Sequence, residues 1–182
     1  YPDNGDYAFG FDGDDYVAIN GNNEVLTSSN GVSINLYFKK QDFQGQQFLY
    51  DWGAYSGANV TDSYRMKIDN GGVLETWVEG NASYNAPSFT YNLNDHENNL
   101  LDIWVQVTAV YGMNTTKLYI NGSLVNEVSN GMSENDEYKI FDQSGGWYWI
   151  GDQGDNVGYG FNGLIDKFSI WNIELTEAGK EK

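Results

Sequence analysis

The stretch FNGLIDKFSIWNIELTEAG, from Phe161 to Gly179, decides the fold. Asn162-Gly163 is a turn signal, and the residues behind it alternate with the two-residue period of a β-strand. Leu164, Asp166, Phe168 and Ile170 are expected on one face, with Ile165, Lys167, Ser169 and Trp171 on the other. Asp166 thus shares a face with apolar neighbours, where a carboxylate is costly unless a metal ion or backbone amides partner it. At the other end of the chain lies FDGDDYVAI, Phe11 to Ile19, a glycine turn crowded by Asp12, Asp14 and Asp15.

Between these ends the same alternation recurs, punctuated by Gly, Asn and Asp, and no segment sustains a 3.6-residue apolar period. The pattern predicts an all-β chain. Hairpin turns are expected at Asp12-Gly13, Asn70-Gly71-Gly72 and Asn121-Gly122, which supply the positive φ angles that tight turns need. The 182 residues suit one domain spanning 1–182, because nothing inside reads as a linker and the only prolines are Pro2 and Pro87.

Composition narrows the function. The chain has no cysteine, which removes disulfides, thiol nucleophiles and thiolate metal sites. Its one histidine, His96, lies in the polar stretch NLNDHENN with no nucleophile motif nearby and reads as a solvated loop residue. A net charge of −17 with nine scattered Lys and Arg argues against nucleic acid and anionic membrane surfaces as partners. No apolar run approaches the roughly 20 residues that cross a bilayer, so membrane insertion is not expected. A start at Tyr1 rather than Met points to a mature or excised domain. The N-x-S/T sites at Asn59, Asn81, Asn114 and Asn121 carry no inference in so asparagine-rich a chain.

The two chain ends, with VSINLYFKK (Val32 to Lys40), FLYDWG (Phe48 to Gly53), YRMKIDNGGVLETWVEG (Tyr64 to Gly80), IWVQVTAVYGMNTTKLYINGSLV (Ile103 to Val125) and WYWIGD (Trp147 to Asp152) in order between them, resemble the laminin G-like jelly rolls. These belong to the concanavalin A-like lectin and glucanase group, here in its pentraxin-related branch. The resemblance implies an antiparallel β-sandwich jelly roll, a secreted or cell-surface location and a place in a larger multidomain chain. It also implies that the first turn neighbours the last strand. A structural calcium ion would then sit there, held by Asp12, the carbonyl of Gly13, Asp15 and Asp166, since calcium takes six to eight oxygens. By the same resemblance Ile150 and Tyr148 face the core, and Trp104 and Trp171 occupy packed aromatic positions.

Trp147 and Trp149 then point away from the core, as does Trp77, which alternates with Leu74, Thr76 and Val78. Trp52 is compatible with either face. Exposed rings suit the C–H faces of sugars, and the loop DQGDNVGYG supplies the planar donors and acceptors that hydroxyls need, in Asp152, Gln153, Asp155, Asn156 and Tyr159. The reading is a non-catalytic module that binds a polysaccharide or other glycan. An adhesion module of laminin G type, with the tryptophans as interface anchors, is the alternative. A glycoside hydrolase is a lesser one. Laminarinase-type relatives carry E-x-D-x-(x)-E on a strand, whereas Glu75-Thr-Trp-Val-Glu79 has Trp77 in place of the central acid.

Overall fold

In the computed structural model, residues 7–20, 31–56, 59–79, 89–95, 100–112, 115–129, 147–153 and 158–176 are described, with side chains except at 20, 53–56, 59–63, 78, 79 and 147. The strands are β1 (Phe9–Asp12), β2 (Val17–Asn20), β3 (Val32–Lys39), β4 (Gln47–Ser56), β5 (Asn59–Ile68), β6 (Val73–Glu79), β7 (Phe89–Asn92), β8 (Val105–Tyr111), β9 (Thr115–Ile120), β10 (Ser123–Ser129), β11 (Trp147–Ile150) and β12 (Asn162–Trp171). They form two six-stranded antiparallel sheets, β1-β12-β3-β8-β9-β10 and β2-β11-β4-β5-β6-β7. This is the expected jelly-roll sandwich, with the first and last strands side by side.

The core lies between the sheets because alternate residues of each strand turn inward. Ile34, Leu36 and Phe38 of β3 and Val105, Val107 and Ala109 of β8 meet Tyr50, Tyr64, Met66 and Leu74 from the second sheet. Trp52 belongs to this core, its ring 4.5 Å from Tyr148 and 5.5 Å from Tyr64 between centroids. The Tyr50 and Tyr111 hydroxyls are hydrogen-bonded at 2.7 Å, and Thr76 Oγ1 bonds to Tyr111. Buried hydroxyls thereby satisfy one another across the two sheets.

Two expected hairpins hold, with Asn70-Gly71-Gly72 joining β5 to β6 and Asn121-Gly122 joining β9 to β10. Asn121 and Gly122 have φ of 50° and 80°, the paired positive angles of a type I′ turn. Asp12-Gly13 is different. It leads from β1 to β2, which lie in different sheets, so it turns a corner of the sandwich instead of closing a hairpin.

The alternation expected for β12 also needs correction. Its pairing with β3 shifts between Asp166 and Ser169, and Lys167 adopts φ of 50°. Such a bulge reverses which face follows. Ile165 is buried and Phe168 and Ile170 pack against the core, while Leu164 and Asp166 belong to the outer face. Trp171 likewise falls opposite Ile170; it and Trp104 are only half-buried and lie outside the core. Lys40, at the end of β3, is 1% exposed. Its Nζ bonds to Gln47 Oε1, stands 3.6 Å from Asp42 and lies over the Phe161 ring. Burial pulls its pKa below the ordinary lysine value.

Candidate functional site

The outer face of the second sheet carries a row that register defines residue by residue. Trp149 pairs with Asp51, Asp51 with Arg65, and Arg65 with Trp77. Directly opposed residues share a face, so the side chains run in line across β11, β4, β5 and β6. Trp149 and Trp77 are half-buried at the ends. Three strand spacings separate them, about 14 Å. Between them Arg65 Nε donates to Asp51 Oδ1 at 3.0 Å, with Asp51 0% and Arg65 7% exposed.

A second row lies alongside, in which Phe48 pairs with Lys67 and Lys67 with Glu75. Phe48 is buried without joining the main core, because the register shift at Leu49 turns it outward. Its ring packs edge-on against Trp77 at 6.2 Å and Tyr159 at 6.1 Å. The Phe48 amide also donates to the Tyr159 carbonyl at 3.0 Å, which ties Tyr159 to β4. Trp77 and Tyr159, taken from distant parts of the chain, are thus joined through Phe48. Lys67 Nζ is 3.1 Å from Glu75 and lies over the Trp77 ring.

The remaining expected contacts are placed less completely. Trp147 stands in β11 opposite Gly53 and Asn20, and its side chain lies outside the described residues. Asp155 and Asn156 lie outside them as well, as does His96. Asp152 and Gln153 are half-buried at the end of β11, where Asp152 Oδ1 accepts the Gln153 N–H at 2.7 Å. Two grooves, of about 490 and 470 Å³, border strands of the first sheet and not the tryptophan row.

Sequence reading missed Phe48, Asp51, Arg65 and Lys67. The signal for the charged ones was present, since Arg65 and Lys67 alternate with the apolar Tyr64, Met66 and Ile68, and Asp51 interrupts an otherwise apolar strand.

The expected metal ligands are brought together only in part. Carboxylate oxygens of Asp12, Asp14 and Asp15 lie within 4.8 Å of one another. Asp14's carboxyl hydrogen-bonds to Asp12's. That bond, with the charges of Asp12 and Asp15, pushes Asp14's pKa above the ordinary range, while the hydrogen bonds Asp12 receives from Asp14's side chain and backbone hold its own below it. Such crowding of like charges suits a hard cation, so these side chains fit calcium. The carbonyl of Gly13 packs against Gly160, leaving no room there for a Cβ. Asp166 does not join them. Asp12 pairs with Asn162, and Asp166 is four positions farther along β12, about 13 Å. Its Oδ1 accepts the Lys167 N–H at 2.7 Å, while its shielded Oδ2 has no hydrogen-bond partner among the described residues.

Two packed antiparallel sheets, with first and last strands adjacent and an aromatic row across one outer face, define a lectin-type β-sandwich. The chain belongs to the concanavalin A-like lectin/glucanases superfamily, whose profile matches residues 11–179. No curated protein sequence matches it. Among solved structures it is similar to the heptameric SAP-like pentraxin of Limulus polyphemus, with a TM-score of 0.63 and 18% identity over 92% of this chain and 76% of that one. It is also similar to the CBM40 of the Ruminococcus gnavus IT-sialidase, solved bound to α2,3-sialyllactose, at TM-score 0.68 and 15% identity over 95% and 94% of the two chains. The binding domain of botulinum neurotoxin serotype D aligns at TM-score 0.68 and 19% identity, with 94% of this chain covering 40% of that one. These neighbours are mostly binding domains. No helix is long and apolar enough to cross a membrane among the described residues.

Proposed function

We propose that this domain is a non-catalytic carbohydrate-binding module of a secreted or cell-surface protein, part of a larger multidomain chain. A glycan would lie across the outer face of the second sheet, with polar contacts from the loop carrying Asp152, Gln153, Asp155, Asn156 and Tyr159. The observation that carries the reading is the row Trp149–Asp51–Arg65–Trp77, two rings with a buried charge pair between them. Rings about 14 Å apart serve an oligosaccharide better than a single sugar. The glycan-bound CBM40 neighbour supports the reading through shared fold.

The non-catalytic part rests on Glu75 and Trp77. The Glu75 carboxylate is held by Lys67 at 3.1 Å, and Trp77 stands where hydrolases of this fold have the middle acid. Trp149→Ala should weaken binding of a neutral oligosaccharide by about 1–2 kcal/mol with little change in melting temperature. A glycan array followed by calorimetry on both proteins tests this. A blank array, or an unfolded variant, would refute it.

Calcium at Asp12, Asp14 and Asp15 would be structural, pinning the corner between β1 and β2 away from the tryptophan row. Melting should then rise in calcium and fall in EDTA, since a ligand of the native state alone stabilises it. Asp14→Asn should reduce the difference and Asp166→Ala should leave it intact. Identical melting curves with and without calcium would dismiss the ion.

The adhesion alternative draws on a separate observation. Tyr7, Phe9, Tyr16 and Ile19 are 96%, 66%, 57% and 46% exposed around the edge strands β1 and β2. Exposed apolar groups of this kind suit a protein partner. If Phe9→Ser abolishes adhesion to cells or matrix while Trp149→Ala does not, this second reading prevails.

A further inference from the structure

Trp77 is not simply an open ring. Lys67 stands diagonally across from it on β5, because register pairs Lys67 with Glu75 and Arg65 with Trp77. Its Nζ is 5.1 Å from the centre of the Trp77 ring and 3.1 Å from Glu75 Oε2. The Phe48 ring meets Trp77 at an interplanar angle of 62°. One side of the indole therefore packs against Phe48, and an ammonium lies over its face. The Lys67 side chain is only 18% exposed, so it is held there and does not simply trail in water.

We propose that Lys67 is a specificity-determining residue of the Trp77 end of the glycan platform: it occupies the indole face in the free protein, and a neutral sugar must displace it to stack. This rests on the carbohydrate-binding reading above. The apolar C–H side of a pyranose and the ammonium compete for the same electron-rich face. Moving Lys67 forfeits a cation–π contact and loosens an ion pair with Glu75, and together these oppose stacking by about threefold to tenfold. Lys67 thus sets how strongly a neutral chain engages the Trp77 end of the platform.

The test is isothermal titration of the whole domain with hexasaccharides of β-1,3-glucose, β-1,4-glucose and β-1,4-galactose. Wild type is compared with Lys67→Ala, Lys67→Arg and Trp77→Ala. For any hexasaccharide that binds, Lys67→Ala should raise affinity about threefold to tenfold. Lys67→Arg, which keeps a cation able to stack on the ring, should leave it at or below the wild-type value. Trp77→Ala should lower it. In the free protein the Lys67 ε-methylene protons should resonate upfield, in the ring current of Trp77, and should lose that shift on saturation.

Lower or unchanged affinity in Lys67→Ala overturns the proposal, the first by making Lys67 a ligand contact and the second by showing the ring unobstructed. A neutral effect of Trp77→Ala beside a large loss in Trp149→Ala also overturns it, yet leaves the carbohydrate reading standing. If no hexasaccharide binds and a glycan array is blank, the carbohydrate reading falls and takes this proposal with it.

Discussion

Replacing Asp51 by alanine is expected to destabilise the domain by about 3–5 kcal/mol, because it strands a buried guanidinium. Asp51 is 0% and Arg65 7% exposed, and Arg65 Nε donates to Asp51 Oδ1 at 3.0 Å. Taking both charges out of water was unfavourable; their mutual attraction and hydrogen bonding offset that cost only while both are present. Arg65→Ala should be comparably damaging, since it leaves a dry carboxylate. Asp51→Leu combined with Arg65→Met should cost less than either single change to alanine, because no charge is then left unpaired. Urea unfolding read as a lower midpoint at constant slope measures this. A single substitution costing less than about 1 kcal/mol would show that water solvates the pair after all. The result bears on function, because the pair forms the floor between Trp149 and Trp77.

The second large effect is alkaline. Burial pushes the Tyr111 hydroxyl up to about 12, and burial, with Tyr111 beside it, pushes Tyr50 well above the ordinary tyrosine value. Both pKa values are raised in the folded state, so above pH 10 the unfolded chain releases protons that the native one keeps. The stabilising difference is therefore complete below pH 10 and is lost as pH rises towards the native values. Tyr111 alone should remove about 2 kcal/mol between pH 10 and 12, and Tyr50 adds a further loss in the same direction. Stability measured across that interval should fall steeply, and phenolate absorbance should show two tyrosines ionising only as the fold is lost. Tyr111→Phe should flatten the fall. Stability that stays level to pH 12, or early ionisation of these two in the folded protein, would contradict the assignment.

How much of the site was legible depends on whether local rules sufficed. That Tyr148 and Ile150 lie opposite Trp147 and Trp149, and Trp77 opposite Leu74 and Thr76, follows from the two-residue period, while which of these faces is inward came from the family resemblance. The hairpins at Asn70 to Gly72 and Asn121-Gly122 follow from local rules too, since the residue types there allow little besides a tight turn. The order of these segments, with FNGLIDKFSIW at the end, carried the resemblance that implied the sandwich.

Asp166 and Phe48 show where this stops. Each lies beside a bulge, at Lys167 and at Leu49, and a single extra residue reverses the face of everything beyond it. Nothing in the local pattern announces a bulge, because it arises from pairing against the neighbouring strand. Asp166, read from alternation as sharing a face with Phe168 and Ile170 and tied to the Asp12 turn by the resemblance, is instead on the outer face and too far along β12 to reach that turn. Whether Asp12-Gly13 closes a hairpin or turns a corner was likewise decided by which sheet received β2. The sequence by itself determined the all-β alternation and two of the tight turns, and its segments in order carried the resemblance to the sandwich. The tertiary structure alone decided the partners, Arg65 for Asp51, Phe48 for Trp77 and Tyr159, and Lys67 for the Trp77 ring, because register between strands distant in the chain depends on how both whole sheets close over one core.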